Sequence, residues 1–169
     1  MKGNTIGKVM NHGYAGWYSR QPDMIIDSHP LGGKRPVVFG TPLVYDTDGY
    51  VIPFGETNTA ADFVGIASRE IKSTVNYMEQ SVGEYRPNEA ASTFKRGTIN
   101  VLCNVGTPVL GGKVYIRTAL KESVPTAKIG DFEAAEDSGA TVELTNCEWR
   151  GAKDVNNVAE LCIMSRNRA

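Results

Sequence analysis

Two short stretches of the sequence hold residue types that could bind phosphate or calcium. Residues 106–114 read GTPVLGGKV, which approaches the phosphate loop, where backbone amides cradle phosphates and a lysine reaches the outer ones. Gly112 stands where that motif needs its lysine, and the magnesium-binding hydroxyl residue is missing. Asp46-x-Asp48-Gly49 matches the start of a calcium loop, but the later oxygen ligands do not follow in register. Both stretches are therefore predicted to be glycine turns between strands.

The two histidines and the three cysteines are further residues with catalytic potential. His12 and His29 have no Cys-x-x-Cys motif near them, so a zinc site lacks ligands and two exposed histidines are the favoured interpretation. Cys103, Cys147 and Cys162 are an odd number at wide spacing beside apolar residues, which is typical of reduced, buried thiols. A cysteine nucleophile paired with a distant histidine stays open, although no residue pattern marks one.

The acidic segment GDFEAAEDSG, residues 130–139, contains two carboxylates that could act as a glycosidase pair, Glu133 and Glu136. A solvated turn is the favoured interpretation of this segment. A serine triad is not indicated either, because the nucleophile elbow Gly-x-Ser-x-Gly is missing from the sequence. We therefore predict that the protein is not an enzyme and that it needs neither a cofactor nor a metal ion.

Length and charge argue against several other classes of protein. The chain has 169 residues, enough for one domain whose core needs no disulfide or metal. Its 18 basic and 19 acidic residues are scattered and give a net charge of −1, so no surface for nucleic acid is predicted. No apolar run approaches the roughly 18–20 residues that span a bilayer, and the N-terminus lacks an apolar signal region. We expect synthesis in the cytoplasm and no binding to nucleic acid or membrane.

Strand signals begin at about Val37 and continue to about Met164. Short runs rich in β-branched and aromatic residues alternate with Gly, Pro, Asn and Asp, which is typical of a β-sandwich or β-barrel. Asp48-Gly49 and Gly111-Gly112 are predicted to form two-residue type I′ hairpin turns. The predicted fold class is mainly β, a small barrel or sandwich over residues 37–169.

Two segments within this domain predict other local structure. Residues 81–90 combine Gly, Pro and Asn, which favours a loop between strands. Residues 57–63 read TNTAADF and could form one helical turn.

Residues 1–36 are rich in Gly and Pro and show no sustained helical or alternating period, which predicts an irregular, extended N-terminal arm. The arm carries too many large apolar groups for a solvated linker, so it must pack on its own barrel or on a neighbouring chain. Aromatic residues and arginine dominate protein interfaces, whereas the same residues also fill ordinary cores, and both possibilities stay open. The candidate interface residues are Tyr14, Trp17, Tyr18, Arg20, Met24, Ile25 and Ile26.

The order of these motifs resembles the structural cement, or capsid decoration, proteins of tailed bacteriophages. The resemblance covers most of the chain, from GYAGWYSRQPDMIIDS (residues 13–28) through GTPLVYDTDGYVIP to NNVAELCIM. Its most specific part is the central run EYRPNEAASTFKRGTINVL, residues 84–102. Asn88 departs from the Gly expected in many relatives, but Asn also tolerates a left-handed conformation.

The resemblance implies a non-enzymatic protein that binds the outer surface of a phage head between capsomers of the major capsid protein and stabilises the shell. It implies homo-dimers or homo-trimers at symmetry axes of the lattice, with an arm that reaches a neighbour. Deletion of residues 1–36 is then expected to leave a folded domain that no longer binds heads. A surface carbohydrate- or receptor-binding β module is the alternative.

Overall fold

The computed structural model describes residues 11–70 and 82–167, which are built almost entirely of β-strands. A single 3₁₀ turn in this part of the chain, Ala60–Asp62, lies where the sequence predicts a helical turn. No helix within the described ranges is long and apolar enough to cross a bilayer. The strands are β1 (Tyr18–Pro30), β2 (Val37–Val38), β3 (Pro42–Tyr45), β4 (Val51–Pro53), β5 (Phe63–Ala67), β6 (Glu84–Tyr85), β7 (Ala90–Val105), β8 (Lys113–Arg117), β9 (Phe132–Glu133), β10 (Thr141–Trp149) and β11 (Val158–Ile163).

The C-terminal half of the chain forms a closed barrel of five strands. The last part of β7 pairs with β11 and with β9, and β10 and β8 complete the ring between them. Alternate residues of β7, among them Ile99, Val101 and Cys103, are buried in the larger apolar cluster, whereas Leu102 between them is exposed. Trp149 from β10 is fully buried in the same cluster. The prediction of a mainly β barrel is confirmed.

The first part of β7 belongs to a second group of strands. It pairs with β1 and β5, and β3 and β4 follow in order. Leu31, directly after β1, forms a bridge with Val51 of β4, so this group curls back on itself. A smaller apolar cluster fills it, with Leu31, Leu43 and Tyr85 almost completely buried. β7 is therefore the strand that joins the two halves of the fold.

Gly97 lies where β7 passes from one half to the other. Its φ of +108° is a backbone conformation that L side chains rarely adopt. A Cβ at this position would lie 2.3 Å from the carbonyl oxygen of Asp23 on β1. Glycine is thus required here, because β1 passes too close to β7 for any side chain.

The predicted N-terminal arm is extended, and its residues 18–30 form a strand of the main sheet of the same chain. β1 pairs antiparallel with β7, and its register shifts between Tyr18 and Arg20, between Arg20 and Ile25, and between Ile25 and Ile26. Each shift interrupts the period of two, which is why the sequence shows no alternation here. The first ten residues of the predicted arm lie outside the described residues, and a domain boundary at residue 36 stays a prediction.

Lys95 connects β7 to β1 and β3 through a buried charge. Its side chain is 2% exposed, and Nζ lies 2.8 Å from Asp27 Oδ2 and 2.8 Å from the Tyr45 hydroxyl. Burial alone would lower the pKa of Lys95, but the hydrogen bonds to Asp27 and Tyr45 hold it above the usual value. Since Lys95 donates to the Tyr45 oxygen, the hydroxyl can donate to His29 Nε2, 3.1 Å away. Burial and the Lys95 charge lower the pKa of His29, which favours this neutral acceptor.

Both predicted type I′ turns are wrong in detail. β3 and β4 form the first predicted hairpin, but only Gly49 of its predicted turn pair has a positive φ, +80°. Asp46 Oδ1 accepts hydrogen bonds from the backbone N–H groups of Asp48 and Tyr50 at 2.9 and 3.0 Å, which stabilises a longer loop. The second segment is not a hairpin, because β8 pairs with β9 and β10 rather than with β7. Gly111, with φ +73°, turns the chain between two strands that are not neighbours.

The predicted loop at residues 81–90 contains a short strand. Glu84–Tyr85 pairs with Val37–Val38 as a separate two-stranded sheet, whereas Ser81 lies outside the described residues. Asn88 has a φ of +68°, so the left-handed conformation predicted for it is confirmed.

Candidate functional site

Two exposed aromatic residues flank one arginine on the surface beside β7. Tyr14 is 67% exposed and Trp17 is 52% exposed. The guanidinium carbon of Arg69 lies 5.0 Å from the centre of the Tyr14 ring and 5.6 Å from that of the Trp17 ring. Both distances are within the range of cation–π interactions. We call Tyr14, Trp17 and Arg69 the aromatic clamp.

The backbone of the aromatic clamp is fastened to the barrel. Gly16 N–H donates to the carbonyl oxygen of Asn100 at 2.8 Å, and Asn100 N–H donates to that of Trp17 at 2.8 Å. Arg69 N–H donates to the Gly16 carbonyl oxygen at 2.7 Å, and Trp17 N–H donates to that of Tyr14 at 3.3 Å. These bonds tie the segment to β7 and to the chain after β5, so the clamp is held by the scaffold.

Asp154 anchors the chain that enters the clamp. Its Oδ2 accepts from the backbone N–H of His12 at 2.9 Å, and its Oδ1 accepts from those of Asn156 and Val158 at 2.8 and 3.0 Å. Burial would raise the pKa of Asp154, but these three donors lower it below its usual value. The Asn100 side chain also donates to the His12 carbonyl oxygen at 2.6 Å. Both the N–H and the carbonyl oxygen of His12 are therefore hydrogen-bonded, which fixes the start of the clamp segment.

We expect the substitution Gly16→Ala to displace the aromatic clamp. Gly16 has a φ of +85°, and an added Cβ would lie 2.7 Å from the Phe39 Cβ. The left-handed backbone alone costs an L residue about 1–2 kcal/mol, and the overlap must move the turn. Intrinsic tryptophan fluorescence, to which the exposed Trp17 and the buried Trp149 both contribute, and denaturant unfolding measure both effects.

Gly33→Ala is the matched control for this substitution. Gly33 has a similar φ of +81°, but an added Cβ would meet no atom within 4 Å. The Gly33→Ala variant therefore has the same left-handed backbone strain as Gly16→Ala, but its added Cβ overlaps no other atom. Equal fluorescence and equal stability of the two variants would show that Gly16 does not position the clamp.

An apolar cleft opens beside the clamp, with a volume of about 570 Å³. Arg69 is the one charged side chain among the described residues that line it. Val38 is 58% exposed and Leu102 is 44% exposed in its walls. The lining residues are Gly13, Tyr14, Ala15, Val38, Phe39, Arg69, Gly83, Leu102, Asn156 and Val158. A second depression of about 300 Å³ shares Ala15, Val38, Phe39 and Leu102 with it, so the apolar surface continues across both.

The remaining predicted interface residues do not join the clamp. Tyr18, Met24 and Ile26 are partly buried and pack against the larger apolar cluster of their own chain. Arg20 is exposed and pairs with Glu160 at 3.0 Å. Ile25 is half-buried and stands opposite Arg96 of β7. The structure therefore divides the predicted set into an exposed pair, Tyr14 and Trp17, and residues that mainly attach β1. Their role as an interface stays a proposal.

The histidines and cysteines are engaged in the fold. Neither histidine is fully exposed, contrary to the sequence interpretation, because His12 Nε2 lies 3.0 Å from the Ala152 carbonyl oxygen and His29 meets Tyr45. The three cysteines are buried and unpaired, as predicted. Burial raises the pKa of Cys103 to about 11 and raises that of Cys147 further, which opposes thiolate formation. No group of His, Cys, Asp and Glu within the described ranges could hold a metal ion.

The prediction of a solvated acidic turn is wrong for Glu133. Its carboxylate is completely buried and accepts two hydrogen bonds from the equally buried Arg117, from Nε at 2.7 Å and from Nη2 at 2.6 Å. Arg117 Nη1 donates to Asp137 Oδ2 at 2.7 Å, and Lys121 pairs with the other oxygen of Asp137. Glu136 remains exposed. The two acids first considered as a glycosidase pair therefore differ completely in environment.

Sequence reasoning missed Arg69, Val38 and Leu102. Arg69 follows β5, and a backbone hydrogen bond to Gly16 brings it beside Tyr14 and Trp17. Leu102 could have been identified from the alternation of side chains along a strand. It lies between the buried residues Val101 and Cys103, so its side chain must face outward. An outward Leu on a barrel strand is a signal of an apolar surface.

Fold and surface together define a class of protein: a small, mainly β protein with a closed five-stranded barrel and exposed aromatic residues on its surface. Residues 3–164 match the family described as "Structural cement protein (E217 gp24/Pam3 gp6)". The chain belongs to this family of phage structural cement proteins.

Among the solved structures that match, one shares the fold over nearly the whole chain. It is described as "The capsid of Myoviridae Phage XM1", with a TM-score of 0.70, 14% sequence identity and coverage of 98% of each chain. No curated protein matches the sequence. Family membership makes the chain a structural component of the phage capsid, and it does not favour a surface carbohydrate- or receptor-binding module.

Proposed function

We propose that this chain binds the outer surface of a bacteriophage head between capsomers of the major capsid protein, and that it stabilises the shell without catalysing a reaction. Membership of the cement family supports the capsid as its place of action. The observation that carries the proposal is the aromatic clamp beside an apolar cleft on a rigid scaffold. Tyr, Trp and Arg are the residues most enriched among those that dominate binding energy.

The repeated lattice of a capsid makes a modest contact sufficient. A micromolar contact corresponds to about −8 kcal/mol, and a shell repeats each contact many times. Each copy that bridges two capsomers therefore opposes their separation. We propose that the chain also self-associates as a homo-dimer or homo-trimer at symmetry axes, after synthesis in the host cytoplasm. Nucleic acid and membrane have no part in this role.

The substitution Trp17→Ala tests the proposed role. We expect it to weaken binding to heads assembled without this chain by about tenfold or more, equivalent to about 1.4 kcal/mol. The reason is that Trp17 exposes a large ring for contact and also holds Arg69 in place. Sedimentation of heads with increasing protein, followed by quantitative gel analysis, gives the occupancy and the affinity.

Leu120→Ala is the matched control, because Leu120 is 64% exposed but does not line the cleft. It should bind heads like the wild-type chain. If the wild-type chain shows no saturable binding, the proposed function is wrong. Deletion of residues 1–36 is no longer a useful test, since it removes β1 and must disturb the sheet.

A further inference from the structure

Arg69 has hydrogen-bonding capacity that the described structure does not use. Within residues 11–70 and 82–167, no carboxylate lies within ion-pair distance of its guanidinium, and no side-chain hydrogen bond engages it. Its contacts there are with the rings of Tyr14 and Trp17. A guanidinium that stacks on rings can still donate hydrogen bonds from its edges.

From this arrangement we infer that the cleft receives an acidic side chain of the capsid protein, and that Arg69 pairs with its carboxylate. This inference rests on the proposed function and adds the chemistry of the partner surface. The occupant is an Asp or Glu flanked by apolar residues, because the described lining of the cleft is apolar apart from Arg69 and Asn156.

The cost of desolvation is the main argument for a carboxylate. A partner that fills the cleft removes water from Arg69, and an unpaired buried charge is strongly unfavourable. An apolar occupant alone would therefore bind poorly, whereas a carboxylate can accept two hydrogen bonds from the guanidinium edge. A nucleic-acid phosphate fits less well, since nucleic-acid binding requires many basic residues on one face and the described lining of this cleft has a single cation.

The aromatic clamp also lowers the entropic cost of this pairing. A free arginine side chain loses about 2 kcal/mol of rotamer freedom when it is fixed. Arg69 already contacts two rings, and both rings belong to the turn that is hydrogen-bonded to the Arg69 backbone. Less ordering is then required when the partner docks.

Arg69→Met tests the inference, because it removes the charge and keeps an unbranched apolar side chain. We expect head binding to weaken about tenfold and to depend less steeply on salt than that of the wild-type chain. The Arg69→Lys variant should bind heads with an affinity between those of the wild-type chain and Arg69→Met, because lysine keeps the charge but lacks the planar guanidinium that binds a carboxylate through two hydrogen bonds. Arg96→Met is the matched control, because Arg96 is an exposed arginine that already pairs with Asp23 of its own chain.

Carbodiimide cross-linking of the Arg69→Lys variant on heads identifies the partner group. A new amide bond between residue 69 and an Asp or Glu of the capsid protein, mapped by mass spectrometry, is the expected result. A bond to a carboxylate of the same chain or of a second copy, or no new bond, would overturn the inference. So would equal affinity and salt dependence of wild type and Arg69→Met. Failure of the wild-type chain to bind would instead reject the proposed function.

Discussion

Replacement of Arg117 by Ala is expected to lower the free energy of unfolding by about 3–5 kcal/mol, the range for breaking a buried ion pair by removing one partner. Arg117 and Glu133 are both completely buried, so the substitution leaves a buried carboxylate without its guanidinium counter-charge. For a chain of this length, the loss corresponds to a fall in melting temperature on the order of 10 °C. Denaturant unfolding at neutral pH measures the change.

Removal of both partners gives the control for this prediction. The double variant Arg117→Met with Glu133→Leu leaves no unpaired charge at this pair, while Asp137 keeps Lys121. Buried ion pairs replaced by apolar residues of similar size are often neutral or stabilising. We expect the double variant to be more stable than Arg117→Ala. An Arg117→Ala variant as stable as the wild-type chain would contradict a structural role for this pair.

The features predicted well from the sequence are those determined by neighbouring residues. Ala60–Asp62 forms the short helical turn, and Asn88 adopts the left-handed conformation that asparagine tolerates. Each depends on the intrinsic preference of one residue or of a short run. Burial of the three cysteines was also predictable, because each lies among apolar or strand-forming neighbours.

The strand β1 could not be predicted because its pairing is irregular. Three register shifts fall between Tyr18 and Ile26, and Pro22 and Asp23 are unusual residues for a strand interior. The partner β7 tolerates the irregularity, because Gly97 lets Asp23 approach closely. This contact joins residues far apart in the chain, and a pattern within residues 18–30 does not contain it.

The charged clusters were missed for the same reason. Glu133 reads as solvated because its sequence neighbours are acidic and small, whereas its environment is determined by Arg117 on a different strand. Lys95 likewise lies in a strand that alternates poorly, and its partner Asp27 comes from β1. Sequence indicates which residues are charged. It does not indicate which of them will be buried together.

The sequence indicated which types of residue form the candidate site, but it did not identify all of its members. Tyr14 and Trp17 were identified because exposed aromatic residues and arginine favour interfaces, but the arginine that joins them is Arg69 rather than Arg20. Arg20 is nearer in sequence, yet its bond to Glu160 occupies it within its own chain. The clamp segment is hydrogen-bonded to Asn100 of β7, two residues before Leu102, which brings the clamp and Leu102 to one surface.

Asp27→Ala is the second substitution with a large expected effect, a loss of about 3 kcal/mol in the free energy of unfolding. It leaves Lys95 buried with the Tyr45 hydroxyl as its remaining partner, and the 43% exposure of Asp27 lets water offset part of the penalty. Asp23→Ala is the matched control on the same two strands, because the Asp23–Arg96 pair is 72% and 44% exposed and exposed pairs contribute at most about 1 kcal/mol.

The hydrogen bond from Lys95 lowers the pKa of Asp27 below 3.8, so the stabilisation by Asp27 is complete above that pH and is lost as the pH falls through the lowered pKa. Denaturant unfolding between pH 7 and pH 3 should therefore show a smaller acid-induced loss for Asp27→Ala than for the wild-type chain. Equal losses in stability for the two variants at pH 7 would contradict the assignment of Lys95 as a buried charge that depends on Asp27.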